Sequence, residues 1–321
     1  MGSLVRQSIV AIVLLFTFGV IFFVTKPGTL IIPAPQQNNQ NSNSGVVKSQ
    51  RSMQQQTAPV PPSNYSAPSP TDCRSTPTKP PMRLGTMGDR IPGDTTSYLV
   101  SYAFYHAKGR ENTVFRGEGA VQEARKLLRS TPDGEALIDV GANVGYVSMY
   151  GAALGRPVIA VEPISYLISK LCEGWRANGE SSQVTVYHAA AGATDNSSVI
   201  ITRPSDAVGN FGESSLSRGA VFQKDIVTEK IPMLRLDSVV PSDLPVGVVK
   251  IDVQGHEANV VAGMAAILSR DRGFPRHVIY ETNAQIEKAS GVRPGEARRL
   301  LEGHGYRCRP CCGSDVHCQK N

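Results

Sequence analysis

From about Thr95 onward, short apolar runs alternate with stretches of helical period, whereas Pro27 to Gly93 shows neither pattern. Ala136-Leu-Ile-Asp-Val140 is short, apolar and closed by Gly141, which reads as a strand buried on both faces. Tyr146 to Leu154 has helical length and is mostly apolar or small, with Gly155 placed to end it and Pro157 just beyond. A second apolar run, Val158-Ile-Ala-Val161, then closes on Glu162, completing a βαβ unit with a glycine turn at the mouth of its first strand.

The same alternation continues on both sides. Val121, Ala124, Leu127 and Leu128 share one face of a helix ending near Ser130. Ile164 to Asn178 places Leu167, Leu171 and Trp175 at i, i+4 and i+8, with Cys172 expected as a buried small hydrophobe. Val184 to His188 reads as a strand followed by the small run Ala189 to Gly192, and Val199 to Thr202 as an extra strand. Gly209 to Ser215 reads as a loop of the kind that carries function. Val248-Val-Lys-Ile-Asp252 is a buried strand with an acid at its tip. Gly255 then opens one helix with Ala258, Val261, Met264 or Ala265, and Leu268 on one face. His277-Val-Ile-Tyr-Glu281 repeats the strand-plus-acid device. Pro294 to Glu302 is a helix with proline at its start and Gly303 after its end, and Tyr306 onward forms a final hairpin. These elements predict a doubly wound α/β domain with a mostly parallel sheet over residues 95–321.

The N-terminal third is different material. Ile9 to Val24 is uninterrupted apolar or small sequence, preceded by Arg6 and followed by Lys26-Pro27. It is short for a spanning helix but longer than a usual signal-peptide core, and no A-x-A-like site follows. Residues 1–26 are therefore read as an uncleaved membrane anchor. Residues 27–94, rich in Pro, Gln, Ser and Asn, are read as a disordered stem that cannot bury enough surface to offset its ordering entropy. Cys73 falls in that stem, free or paired between chains. The sequons Asn64-Tyr-Ser66 and Asn196-Ser-Ser198 and the cysteine-rich tail, residues 304–321, favour a type II, lumen-facing body in the Golgi or endoplasmic reticulum. In the tail, Cys308, Cys311, Cys312 and Cys318 lie near His304 and His317. Their spacing permits zinc, but a lumenal body favours disulfides, with Cys308 joined to Cys318 across the hairpin and no metal site.

Composition removes one class of partner. The formal charge of +6 comes without a basic block, and aromatic residues are 6% of the chain, so nucleic acid is not expected as a partner.

Candidate chemistry gathers at the strand ends. In the dinucleotide fingerprint the second glycine lets the backbone approach a pyrophosphate; here Asn143 stands there, between Gly141 and Gly145. What remains of the signature is Glu162, placed to accept hydrogen bonds from a ribose. Adenosine without a pyrophosphate describes S-adenosylmethionine, whose amino group Asp139 could meet directly or through water. Parallel strands bring Asp139, Glu162, Asp252 and Glu281 to one edge. Methyl transfer to an alcohol needs in-line positioning and a base, for which Asp252 and Glu281 are the candidates, with Glu257 and His256 just behind. Helix surface is the expected place of His256. Lys250 is expected as an ion-pair partner, not a nucleophile.

Leu137-Ile-Asp-Val-Gly-Ala-Asn-Val-Gly145, Val161-Glu-Pro163, Leu236-Asp237, Val249-Lys-Ile-Asp-Val-Gln-Gly-His-Glu257 and Tyr280-Glu281 together resemble the FkbM family of methyltransferases, over roughly Glu111 to Tyr306. The resemblance implies a class I methyltransferase fold, S-adenosylmethionine as donor, and methylation of hydroxyl groups, often on sugars. It implies that Asp139, Gly141, Asn143, Gly145 and Glu162 hold the donor, and that Asp252, Glu257 and Glu281 shape the acceptor side. Gln254 and His256 depart from the family, which more often has Glu and a small residue there. The resulting expectation is a membrane-anchored O-methyltransferase acting on a glycan or other small alcohol. The rivals are a nicotinamide-dependent oxidoreductase and an inactive lumenal binding module of the same fold.

Overall fold

Glycine and proline punctuate the apolar runs, and most elements form where that punctuation sets them. A computed structural model describes residues 67–79, 84–87, 96–101, 119–195, 197–205, 214–216 and 225–321, all within one compact unit, Thr57–Asn321. The expected anchor, most of the expected stem, and the asparagines of both sequons lie outside the described residues. Among the described residues no helix is long and apolar enough to cross a membrane.

In chain order the elements are β1 (Leu84–Met87), β2 (Tyr98–Ser101), α1 (Gly119–Ser130), β3 (Ala136–Val140), α2 (Tyr146–Ala153), β4 (Val158–Glu162), α3 (Ser165–Ala177), β5 (Val184–His188), β6 (Ala190–Ala191) and β7 (Ser198–Pro204). They continue with β8 (Ile226–Leu234), α4 (Leu236–Val239), β9 (Val246–Ile251), α5 (Glu257–Ala262), α6 (Ala265–Leu268), β10 (His277–Glu281), α7 (Ala284–Ala289), α8 (Glu296–Gly303), β11 (Arg307–Pro310) and β12 (Asp315–Gln319).

Seven strands form the central sheet in the order β11-β12-β10-β9-β3-β4-β5. The five strands from β10 to β5 are parallel, and the β11–β12 hairpin adds antiparallel strands at one edge. This is the doubly wound, mostly parallel arrangement expected of a class I methyltransferase domain. Strand order reverses at β3, which pairs with β4 on one side and β9 on the other. That reversal opens a crevice beyond the carboxyl ends of these three strands.

Burial on both faces follows from side-chain alternation. Ile138, Val140, Ile159, Val161, Val249, Ile251, Val278 and Tyr280 pack on one face of the sheet, and Leu137, Val158, Ala160, Val248 and Ile279 on the other. Each of these chain runs is therefore continuously apolar, which is what made the strands visible in sequence. A smaller sheet, β6-β8-β7, sits over the crevice, its Ala190, Ile201 and Ile231 packing on Val144, Ile164 and Leu167.

Two expectations are corrected. The single helix predicted from Gly255 to Leu268 is two short helices, α5 and α6, broken at Gly263. A Cβ at Gly263 would lie 1.9 Å from the Gly192 carbonyl oxygen, and its own carbonyl accepts from the Asp237 amide. The Asp237 carboxylate then accepts from the amides of Ala266 and Ile267, starting α6 afresh. Cys73 is neither free nor paired between chains; it is disulfide-bonded to the buried Cys172. That bond ties part of the expected stem to the domain. The Thr71 amide donates to the Val186 carbonyl of β5, and Arg176 donates to the carbonyls of Cys73 and Thr76. In the tail, Cys308 and Cys318 are joined as expected, leaving Cys311 and Cys312 as free thiols.

Candidate functional site

The crevice is a cleft enclosing about 680 Å³ of empty space, part of it open to solvent. The turn from Gly141 to Gly145 makes its floor. Gly141 has φ +71°, and a Cβ there would lie 1.9 Å from the Asp252 carbonyl oxygen, so only glycine lets β3 turn this close to the end of β9. Asn143 also adopts the left-handed region, at φ +54°.

Every amide of that turn is already used. Gly141 and Ala142 donate to the Val161 carbonyl, Val144 to the Asn143 side chain, and Gly145 to the Ala142 carbonyl. The Asn143 amide donates to Glu162 Oε2 at 2.9 Å. No turn amide is left pointing into the cleft as a nest for a phosphate, which is how dinucleotide-binding turns grip their ligand.

Glu162 stands where the sequence placed it, at the tip of β4 and on the wall of the cleft. Its Oε1 accepts from the Ile164 amide at 2.9 Å, so the carboxylate joins the glycine turn to the start of α3. Burial pushes its pKa up to about 7, against the opposing pull of those two backbone bonds. Each oxygen keeps a lone pair for a hydroxyl donor.

Asp139 is placed differently from expectation. Its side chain is buried and does not line the cleft: Oδ2 accepts from the Ser148 hydroxyl at 2.6 Å, and Oδ1 lies 3.6 Å from Lys250 Nζ with no hydrogen-bond partner. It serves the site through Lys250. That ammonium donates to the Gly141 carbonyl at 2.6 Å and lies 3.7 Å from Asp252 Oδ2. Burial alone would lower its pKa, but Asp252, Asp139 and Glu162 outweigh burial and raise it. Lys250 is thus the ion-pair partner the sequence suggested.

The acids expected on the acceptor side separate by position. Asp252 lines the cleft with its side chain 42% exposed. Glu281, at the tip of β10, does not line it; burial first, and the charges of Asp252, Glu257 and Asp315 after it, push its pKa up to about 8. The two are joined by Gln254, whose Nε2 donates to Asp252 Oδ1 and to Glu281 Oε2, 2.9 Å each. Glu257 is buried away from the cleft, its Oε1 accepting from the amides of Val253 and Gly255, and burial raises it to about 7. It clamps the turn that carries Gln254 and does not face a substrate. Asp252, by contrast, caps no helix.

Sequence reasoning misplaced His256. It lines the cleft, buried, with Nδ1 3.0 Å from the side-chain amide nitrogen of Asn259, and burial lowers its pKa. Ser214 and Ser215 also line the cleft, held there by the Thr202–Ser215 bridge and by the Ser215 hydroxyl donating to the Gln254 carbonyl. Ala189, Ala190 and Ala191 supply a flat wall of small side chains, and Ile164 and Leu167 an apolar one. Among the described residues lining the cleft there is no Lys or Arg, whereas Glu162 and Asp252 are both acids.

The flat wall, the hydroxyl acceptor at Glu162 and the acid-lined, cation-free cleft fit an adenosyl group carrying a positively charged sulfonium. Gly141, Asn143 and Glu162 would cradle it and Ala189 to Ala191 would face the base, whereas Gly145, expected among the donor residues, does not line the cleft and instead starts α2.

Comparison with known proteins bears on the same residues. The family model described as "Methyltransferase FkbM domain" matches residues 139–308, more than half of the chain. The hexuronic acid methyltransferase AglP of Haloferax volcanii is 29% identical over 187 residues, 58% of this chain and 68% of that protein. Among solved structures, precorrin-6y C5,15-methyltransferase from Geobacter metallireducens aligns at 12% identity and a TM-score of 0.37, over 63% of this chain and 87% of that one. Magnesium protoporphyrin IX methyltransferase from Synechocystis, with bound SAM, aligns at 12% identity and a TM-score of 0.38, over 63% of this chain and 78% of that one.

Proposed function

The chain belongs to the FkbM methyltransferase family and is an S-adenosylmethionine-dependent methyltransferase; on that premise we propose that it methylates a sugar hydroxyl, acting on a glycan in the lumen of the secretory pathway. The observation that carries the acceptor chemistry is the carboxylate of Asp252, open to the cleft and backed by Lys250. A sugar hydroxyl is too weakly acidic to react unaided, so a base must take its proton as the new bond forms. Asp252 is the acid on the wall beside Gln254, His256, Ser214 and Ser215, a polar rim suited to the hydroxyls of a sugar.

S-adenosylmethionine, held by the glycine turn and Glu162, would supply the methyl group that the acceptor oxygen takes up. The chain's residues do the rest. The glycine turn and Glu162 fix the adenosyl end, the small alanines exclude water from the base, and Asp252 receives the acceptor's proton. Lys250, 3.7 Å from Asp252 Oδ2, places a positive charge behind that carboxylate. Atoms balance as a methyl ether, S-adenosylhomocysteine and a protonated Asp252.

Support for a sugar acceptor also comes from the AglP relative, named a hexuronic acid methyltransferase. A lumenal body anchored by residues 9–24 is supported by the two disulfides, Cys73–Cys172 and Cys308–Cys318, which persist in oxidising compartments. The nicotinamide reading loses ground because the turn amides that would hold a pyrophosphate are already bonded within the chain.

The test is a methylation assay with isotope-labelled S-adenosylmethionine and the full chain, offered simple methyl glycosides and their uronates. The wild type labels at least one of them. Asp252→Asn loses at least two orders of magnitude in kcat while keeping its affinity for S-adenosylhomocysteine. An Asp252→Asn chain as fast as wild type removes Asp252 as the base, and a wild type that labels none of the sugars removes the acceptor class.

A further inference from the structure

The side chain between Asp252 and Glu281 is held from both ends and from its own backbone. Gln254 sits at φ +53°, the left-handed region that few residues other than glycine adopt. Its carbonyl accepts from Ser215, and Glu257 clamps the amides on either side of it, Val253 and Gly255. Held this way, the side-chain amide has two hydrogens and spends both on acids: one on Asp252 Oδ1, one on Glu281 Oε2, each at 2.9 Å. A left-handed backbone costs energy and persists where surrounding contacts over-determine it, and here they aim one nitrogen at two carboxylates.

We propose that Gln254 is a positioning residue for methyl transfer: its amide cross-links Asp252 to Glu281 and so presents the second oxygen of Asp252 to the acceptor hydroxyl. This rests on the reading of Asp252 as the base. With Oδ1 tied to the amide and Oδ2 3.7 Å from Lys250, the carboxylate is restrained at both oxygens. An amide also adds no charge to a crowded set. The groups facing the pair are Glu257 from α5, Asp315 from β12 and Glu162 from β4, all acids, with Lys250 from β9 the cation beside them. A third carboxylate at position 254 would face Asp252 and Glu281 directly. It would have to share protons with them, and the pair would titrate as a trio.

Two variants separate positioning from folding, with Asp252→Asn as the reference. Gln254→Met keeps the length and removes both donated bonds. Its kcat is expected to fall by roughly a hundredfold with S-adenosylhomocysteine affinity unchanged, on the scale of a 1 Å misplacement of a reacting group. Gln254→Glu keeps the length and adds the charge. Its kcat is expected to be restored only at high pH, the rising limb of the profile lying at least one pH unit above that of wild type. Carbon-detected titration of the Glu281 carboxyl in the glutamate-labelled full chain, assigned with Glu281→Gln, reads the same contact without any acceptor: its midpoint rises in both variants. A Gln254→Met chain with wild-type kcat and an unmoved Glu281 midpoint, beside an inactive Asp252→Asn, overturns the inference and leaves the base in place. A fully active Asp252→Asn overturns the base reading and the inference with it.

Discussion

Glu162 shows how one residue can be both structural and functional. Its two oxygens staple the glycine turn to α3, and the same side chain lines the cleft. Glu257 is its counterpart on the acceptor side, stapling the turn after β9 without reaching the cleft. Both acids, with Glu281, are raised by burial, to about 7, 7 and 8. The sign of the consequence follows from proton counting. A carboxyl whose pKa is higher in the folded state than in the unfolded chain holds a proton on folding, so its stabilisation is complete below about 4.5 and is lost as pH rises through the folded value. The thermal midpoint of the unliganded chain is therefore expected to fall between pH 5 and pH 8. Glu257→Gln, which keeps one acceptor for the turn amides and cannot ionise, flattens that fall. Scanning calorimetry across the range checks it; a midpoint that climbs with pH, or a Glu257→Gln slope equal to wild type, contradicts it.

Elements tell which parts of this architecture sequence could reveal. The unit β3–turn–α2–β4 was legible because its information is local: two apolar runs, a glycine turn and a strand-tip acid, with Gly155 and Pro157 closing the helix. The β11–β12 hairpin with its Cys308–Cys318 bond was legible for the same reason. What was missed depends on distant partners. Strand β8 carries Pro232 and charged residues that argue against a strand, and it exists because β7 pairs with it from Ser198 to Pro204. Helix α7 follows the predicted strand β10, its start capped by Asn283, whose side chain accepts from the amides of Gln285 and Ile286, in a stretch where the sequence pattern assigned no element. The break at Gly263 and the burial of His256 come from contacts with residues far along the chain, Gly192 and Asp237 for the first, while Ser214 and Ser215 share the cleft wall with the second. Cys172 was rightly read as buried, but a buried cysteine carries no sign of its bonding partner.

That bond has an element-scale consequence. Thr71, two residues before Cys73, bonds to Val186 and His188 on the free edge of β5, a position where an unpaired strand invites association. Cys73→Ser should cost about 2–5 kcal/mol, the usual range for a native disulfide. Limited proteolysis should then cut between residues 67 and 79 under conditions where wild type resists. An unchanged cleavage pattern and thermal midpoint would show that the hydrogen bonds of Thr71 and Arg176 suffice without it.

For the whole molecule, the doubly wound sheet brings one acid from β4 and one from just beyond β9 to the same cleft, from either side of β3, while the formal charge of the chain is +6. A cationic sulfonium donor suits that cleft, and an anionic dinucleotide does not. The most direct test is calorimetric titration of the full chain with S-adenosylhomocysteine and with NAD, in wild type and in Glu162→Ala. The account predicts binding of the first, none of the second, and a loss of roughly 1–3 kcal/mol in the variant, the scale of leaving buried polar partners unpaired. NAD binding as tight as S-adenosylhomocysteine, or a Glu162→Ala chain that binds S-adenosylhomocysteine as tightly as wild type, would contradict it.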